Sequence, residues 1–142
     1  MEGRAAGATA GGSVPFAAKV EQYTGLAEEI ARLGIPDLRI IGSPGELAIY
    51  SRDQSDVPRL VRNALVDPIP DAVVQPRTTE AVERIVSFAR WKGLPIIPRG
   101  SASSPFGGAV PVNRGIVVDM CRMDAILSID EESKTATVQA GA

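Results

Sequence analysis

The residues best suited to chemistry form one run, Pro98-Arg-Gly-Ser-Ala-Ser-Ser-Pro-Phe-Gly-Gly-Ala-Val-Pro111, in which eight of fourteen positions are Gly, Ser or Ala. Such a run is either a linker between domains or a loop whose backbone lies against a ligand. Gly100 has no side chain, and those of Ser101, Ala102, Ser103 and Ser104 are short. Consecutive backbone N–H groups could therefore converge on one anion, with the serine hydroxyls as further donors. Gly107 and Gly108 permit positive φ and a second close backbone approach. The chemistry such a loop suits is the cradling of a phosphate or pyrophosphate, although the residues alone weigh more toward a plain surface loop. Two common nucleotide motifs are missing. No Gly-Lys-Ser/Thr closes a P-loop and no G-x-G-x-x-G occurs. Ala109-Val-Pro-Val-Asn113 leads to a strand, so no helix dipole follows to anchor the phosphate.

The rest of the composition removes alternatives. The sequence has no histidine, which takes away the commonest general base, the commonest zinc ligand and every Ser-His or Cys-His pair. The single cysteine, Cys121, excludes an intrachain disulfide and fits a reducing compartment. Within Ile116-Val-Val-Asp-Met-Cys121 it is expected to be a small buried hydrophobe rather than a reactive thiol. Asp119 ends that run and is expected to cap a turn rather than to catalyse. A net charge of -2 and six aromatic residues argue against nucleic-acid binding. With 44% apolar and 23% charged residues the composition is that of a globular chain, one domain or a large piece of one. No run has the length of a signal-peptide core or a membrane span, so a cytoplasmic chain is expected.

Several elements must position the run. Phe16, Val20, Tyr23, Leu26, Ile30 and Leu33 recur at helical spacing, with Gly34 as the stop. Arg39-Ile-Ile41 and Leu47-Ala-Ile-Tyr50 are short apolar pieces without a firm assignment, and Ser51-Arg-Asp-Gln-Ser-Asp56 reads as a solvated loop. Asp71-Ala-Val-Val-Gln75 reads as a strand. A helix follows, capped by Thr78 or Thr79 with Glu80 in its first turn, a buried stripe of Val82, Ile85, Val86 and Ala89, and Gly93 at its end. Leu94-Pro-Ile-Ile97 reads as a strand covered on both faces. Together these make a βαβ unit with parallel strands. Gly115-Ile-Val-Val-Asp-Met120 is a further strand. Ala125-Ile-Leu-Ser-Ile129 and Thr135-Ala-Thr-Val-Gln139 form a hairpin around Asp130-Glu-Glu-Ser-Lys134. The expected fold is α+β: an N-terminal helix, a βαβ unit and a β-hairpin in a small mixed sheet.

The order of these pieces carries a resemblance. Pro70-Asp-Ala-Val-Val-Gln-Pro-Arg-Thr-Thr-Glu-Ala-Val82, Leu94-Pro-Ile-Ile-Pro-Arg-Gly100, Gly107-Gly-Ala-Val-Pro111, Gly115-Ile-Val-Val-Asp-Met120 and Val138-Gln-Ala-Gly-Ala142 follow one another as in a known flavin-binding family. The chain resembles the first lobe of the FAD-binding domain of the vanillyl-alcohol oxidase / p-cresol methylhydroxylase type, nearest to the D-lactate dehydrogenase and glycolate oxidase subunits. Tyr50-Ser-Arg-Asp-Gln-Ser55 is similar to an upstream stretch of the same enzymes.

The resemblance implies non-covalent FAD as cofactor, with Arg99, Gly100, Ser101, Ala102, Ser103 and Ser104 facing its pyrophosphate. Gly107 and Gly108 would support the turn or approach the flavin. Arg99 is weighed as a structural partner of a carboxylate or carbonyls ahead of a phosphate ligand. Relatives use more glycine in this loop, so Ser101-Ala-Ser-Ser104 departs from the pattern, with Ser103 keeping a hydroxyl where relatives have threonine.

The implied organisation is a disordered tail (1–14), an N-terminal helical region (15–66) and the first lobe of the FAD-binding domain (67–142), cut short of a second lobe and a substrate domain. The implied function is the FAD-binding segment of a flavin-dependent oxidoreductase acting on D-2-hydroxy acids such as D-lactate or glycolate. Substrate would be met through the missing domains, and an electron-acceptor subunit is a further implied partner. No residue is nominated as catalytic, and the chain alone is expected to be inactive. The alternatives are a non-catalytic α+β interaction module, an inert remnant without cofactor, or a general phosphate-binding module.

Overall fold

The structure is a computed structural model that describes residues 23–55 and 68–142. The expected tail, the helical positions Phe16 and Val20, and the stretch 56–67 lie outside the described residues. Chain order is α1 (Leu26–Ala31), β1 (Arg39–Ile41), α2 (Pro44–Leu47), a 3-10 turn (Ala48–Ser51), β2 (Ala72–Gln75), α3 (Thr79–Lys92), β3 (Ile96–Arg99), β4 (Ile116–Asp119), a second 3-10 turn (Met120–Arg122), β5 (Ile126–Asp130) and β6 (Thr135–Val138).

Four strands form a mixed sheet in the order β1-β2-β4-β3. Both β2 and β3 run parallel to β4, and β1 pairs antiparallel with β2. The βαβ unit is therefore present with parallel strands, but β4 sits between them. Because β4 takes the centre, β3 becomes an edge strand and is only partly buried, not covered on both faces as its apolar sequence suggests. Every residue of β2 and β4 is buried. The hairpin β5–β6 forms as expected but as a separate two-stranded sheet, exposed along its whole length.

Alternation along β2 and β4 divides the core in two. Ala72, Val74, Ile116 and Val118 meet Leu26 and Ile30 of α1 and Ile85, Phe88 and Ala89 of α3. On the other face Val73 and Val117 meet Ile41 and Leu47. Thr78 caps α3 by accepting a hydrogen bond from Ala81 N at 3.2 Å, and Gly93 ends it with φ 69°. The buried stripe of α3 is Ala81, Ile85, Phe88 and Ala89, not the expected Val82, Ile85, Val86 and Ala89. The helix is turned toward Phe88, whose ring buries more apolar area than a valine, and Val86 is left exposed. An ion pair of 2.6 Å between Lys92 and Glu29 ties α3 to α1.

The connection into β4 is a buried polar knot. Asp71 Oδ1 accepts from Arg114 Nε at 3.0 Å and from Tyr23 N at 3.0 Å, while Oδ2 accepts from Gly115 N at 2.9 Å. Asp71 N donates in return to Gly115 O at 2.8 Å. This knot joins the strand before the helix to the strand after the Gly/Ser run.

Candidate functional site

The three parallel strands end together at Gln75, Arg99 and Asp119, and Arg99 lies in register with Asp119. Open α/β sheets receive ligands at this carboxyl edge. The Gly/Ser run starts there directly, because β3 stops at Arg99 and residues 100–115 contain no helix or strand.

Side chains under the edge form a closed polar cluster. Asp119 Oδ2 accepts from Tyr50 Oη at 3.0 Å and from Gln75 Nε2 at 2.8 Å, and Asp119 Oδ1 accepts from Cys121 N at 3.1 Å. Asp119 thus caps the 3-10 turn, as the sequence suggests, and also gathers two residues that the sequence did not mark. Cys121 departs from expectation: it is exposed, because the strand ends at Asp119 and the turn carries Cys121 out of the sheet. Its sulfur still accepts from Gln75 Nε2 at 3.2 Å, and partial burial with the nearby Asp119 carboxylate pushes the thiol pKa up. A raised pKa leaves little thiolate, the opposite of an activated nucleophile.

Tyr50 is pushed up to about 12, first by burial and then by its hydrogen bond to Asp119 and that group's charge. The folded chain therefore holds this proton more tightly than the unfolded chain, whose tyrosine ionises near 10.0. The corresponding stability is fully present below pH 10.0 and is lost as pH rises toward 12. Titration of phenolate absorbance should show one tyrosine ionising near 12, and Tyr50→Phe should remove that step.

Arg99 turns its guanidinium onto backbone carbonyls. Its Nη1 donates to Arg52 O at 3.0 Å and to Ala109 O at 3.5 Å, and its Cζ lies 5.1 Å from the Tyr50 ring centroid. These are the carbonyl pairings that the sequence weighed for this arginine.

Beyond Arg99, the N–H groups of Ser101, Ala102, Ser103 and Ser104 have no backbone acceptor among the described residues. Ser101 Oγ donates to Ser103 Oγ at 3.1 Å, and Ser104 Oγ accepts from Phe106 N at 3.3 Å. Ala102 takes φ 56°, a left-handed conformation that costs an L-residue about 1–2 kcal/mol. Gly107 uses the positive φ expected of it, 79°, and Gly108 does not. A Cβ built on Gly100 meets nothing within 4 Å, and one on Gly108 reaches only Ser104 Oγ at 4.0 Å. Nothing in the packing among the described residues demands glycine at these two positions. Among the described residues the space at Gly100 is open and that at Gly108 nearly so, which fits an anionic group laid along the loop.

The sequence located this run but missed Tyr50 and Gln75. A signal for Tyr50 was present in its similarity to the upstream stretch of flavin enzymes, but the segment after it read as a solvated loop.

Comparison with known proteins identifies a family for the chain. The model of the FAD binding domain family matches residues 70–142. The glycolate oxidase subunit GlcD of Bacillus subtilis (strain 168) is 42% identical over 93 residues, covering 63% of this chain and 20% of that protein. D-2-hydroxyglutarate dehydrogenase of Xanthomonas citri pv. viticola is 30% identical over 107 residues, covering 75% and 21%. Among solved structures, an alkyldihydroxyacetonephosphate synthase matches with TM-score 0.66 and 30% identity over 87% of this chain and 25% of its own. Substrate-bound p-cresol methylhydroxylase matches with TM-score 0.58 and 27% identity, over 72% and 19%. The chain thus spans about a fifth of the length of the curated relatives it matches.

Proposed function

The chain belongs to the FAD binding domain family, with FAD as its cofactor, and from that premise we propose that residues 99–108 form the cradle for the FAD pyrophosphate. One observation carries this reading: four consecutive N–H groups, Ser101 to Ser104, lack backbone acceptors among the described residues at the carboxyl edge of a parallel strand. Short side chains and open space at Gly100 and Gly108 let a diphosphate approach them. Gly107 shapes the far turn, and Arg99 holds the base of the loop through the carbonyls of Arg52 and Ala109.

Bound FAD supplies the hydride- and electron-accepting chemistry, and this segment binds and orients it. Residues 67–142 act as one lobe of the FAD domain, with the remaining contacts and the substrate site supplied by chain beyond this one. For the whole protein we propose oxidation of a D-2-hydroxy acid, supported by the names of the glycolate oxidase and D-2-hydroxyglutarate dehydrogenase relatives. A second reading, a synthase that forms an alkyldihydroxyacetonephosphate, is favoured by the alkyldihydroxyacetonephosphate synthase match, which covers more of this chain than either relative.

The test is FAD retention. The purified chain, mixed with FAD and desalted, should keep a visible flavin band. Gly100→Val places two methyl groups where only ligand is expected, so it should weaken retention by about tenfold or more. The same change should leave stability within about 0.5 kcal/mol, because the Cβ meets nothing within 4 Å among the described residues. A colourless wild-type chain would leave the interaction-module reading in its place.

A further inference from the structure

The Gly/Ser loop has no apolar core of its own, and ordering its small residues carries a backbone entropy cost of about 1–2 kcal/mol each. Something outside the loop must hold it. The segment 50–55 touches the loop at its base and on both arms. Arg52 O receives Arg99 at the base. Gln54 N donates to Ala102 O on the near arm at 3.3 Å. Asp53 Oδ2 accepts from Ala109 N on the far arm at 3.5 Å, while Oδ1 accepts from Ser55 N at 2.9 Å and orients the segment's own turn. Tyr50 fixes the segment to the sheet through Asp119 and places its ring against the Arg99 guanidinium.

We propose that residues 50–55 are a positioning clamp, in which the Tyr50 ring and the Asp53 carboxylate hold the cradle loop in its binding shape before ligand arrives. Its consequence for FAD rests on the reading above; its consequence for loop order does not. The Ala102 carbonyl bonded to Gln54 belongs to the strained left-handed residue, so the clamp steadies the loop where its conformation is least favourable. Tyr50 and Asp53 act through the loop and touch no reacting atom.

Amide hydrogen exchange at Phe106 and Val110, whose N–H groups are bonded within the loop to Ser104 Oγ and Gly107 O, reads loop order in the free chain. Flavin fluorescence with added FAD reads affinity on the same variants. Tyr50→Leu and Asp53→Ala should each speed exchange in the loop by about tenfold, with exchange in β2 and β4 unchanged. Tyr50→Phe keeps the ring against Arg99 and should retain most of the protection. Affinity for FAD should fall by a similar factor in the first two variants and hold in the third. Unchanged loop exchange in Asp53→Ala, a substitution at a half-buried position outside the hydrophobic core, would overturn the clamp. If loop exchange responds but no variant, wild type included, binds FAD, the clamp stands and the pyrophosphate reading falls. If wild type binds FAD and neither loop exchange nor affinity responds, the pyrophosphate reading stands and the clamp falls.

Discussion

Asp71→Ala should destabilise the chain by about 3–5 kcal/mol, the typical consequence of removing one partner from a buried ion pair. The side chains of Asp71 and Arg114 are 2% and 6% exposed, so solvent cannot replace the lost carboxylate. The substitution also strips acceptors from the N–H groups of Tyr23 and Gly115. Domains of ordinary stability hold only about 5–15 kcal/mol in total, so loss on this scale brings the chain close to unfolding at working temperatures. Urea denaturation followed by far-ultraviolet circular dichroism should show the midpoint falling steeply. Asp71→Asn should recover little, because its amide NH2 would face either the Arg114 guanidinium or a backbone N–H, donor against donor. A loss below about 1 kcal/mol in either variant would mean that the knot does not hold β2 to β4.

Gly115→Ala should cost at least about 3 kcal/mol, by a different mechanism. Gly115 has φ 82°, and an added Cβ would stand 2.4 Å from Pro95 O and 3.0 Å from Pro95 Cβ. The chain must then move Pro95 away, and the hydrogen bond from Ile116 N to Pro95 O at 2.9 Å goes with it. That bond aligns the start of β3 with β4, and the far end of β3 leads into the Gly/Ser loop. Gly93→Ala is the control. Gly93 also has a positive φ, 69°, but a Cβ there meets nothing within 4 Å. Its cost should be the conformational one alone, about 1 kcal/mol. Thermal unfolding of the two variants separates backbone strain from collision. Similar losses in both would show that Pro95 gives way freely.

Much of the fold was legible locally. A Thr–x–x–Ala start and a glycine stop delimit α3 because a cap needs only a few neighbouring residues. Asp130-Glu-Glu-Ser-Lys134 turns the hairpin because its own side chains close the turn: Asp130 Oδ1 accepts from Glu132 N and Ser133 N. The βαβ pattern and the placement of the Gly/Ser run after a parallel strand were equally visible. The face of α3 was not, since two overlapping apolar stripes satisfy the same period and only packing against β2, β4 and α1 chose the one containing Phe88. Nor did Arg39–Ile41 announce itself as a strand, because three residues give too short a pattern to read.

The candidate site divides along the same line. Residue type and order alone marked positions 99–108 as a candidate anion cradle or a plain surface loop, excluded helix-anchored phosphate motifs, and suggested a flavin family that the comparisons bear out. These properties reside in contiguous residues, where small side chains and φ freedom act over one loop. The tertiary structure decided that β4 enters between β2 and β3, that Cys121 leaves the sheet, and that residues 50–55 meet the loop. The Arg99–Arg52 bond joins residues 47 positions apart, and the Tyr50–Asp119 bond joins residues 69 apart. Such contacts depend on the order in which strands pair, and no local propensity or spacing encodes that order.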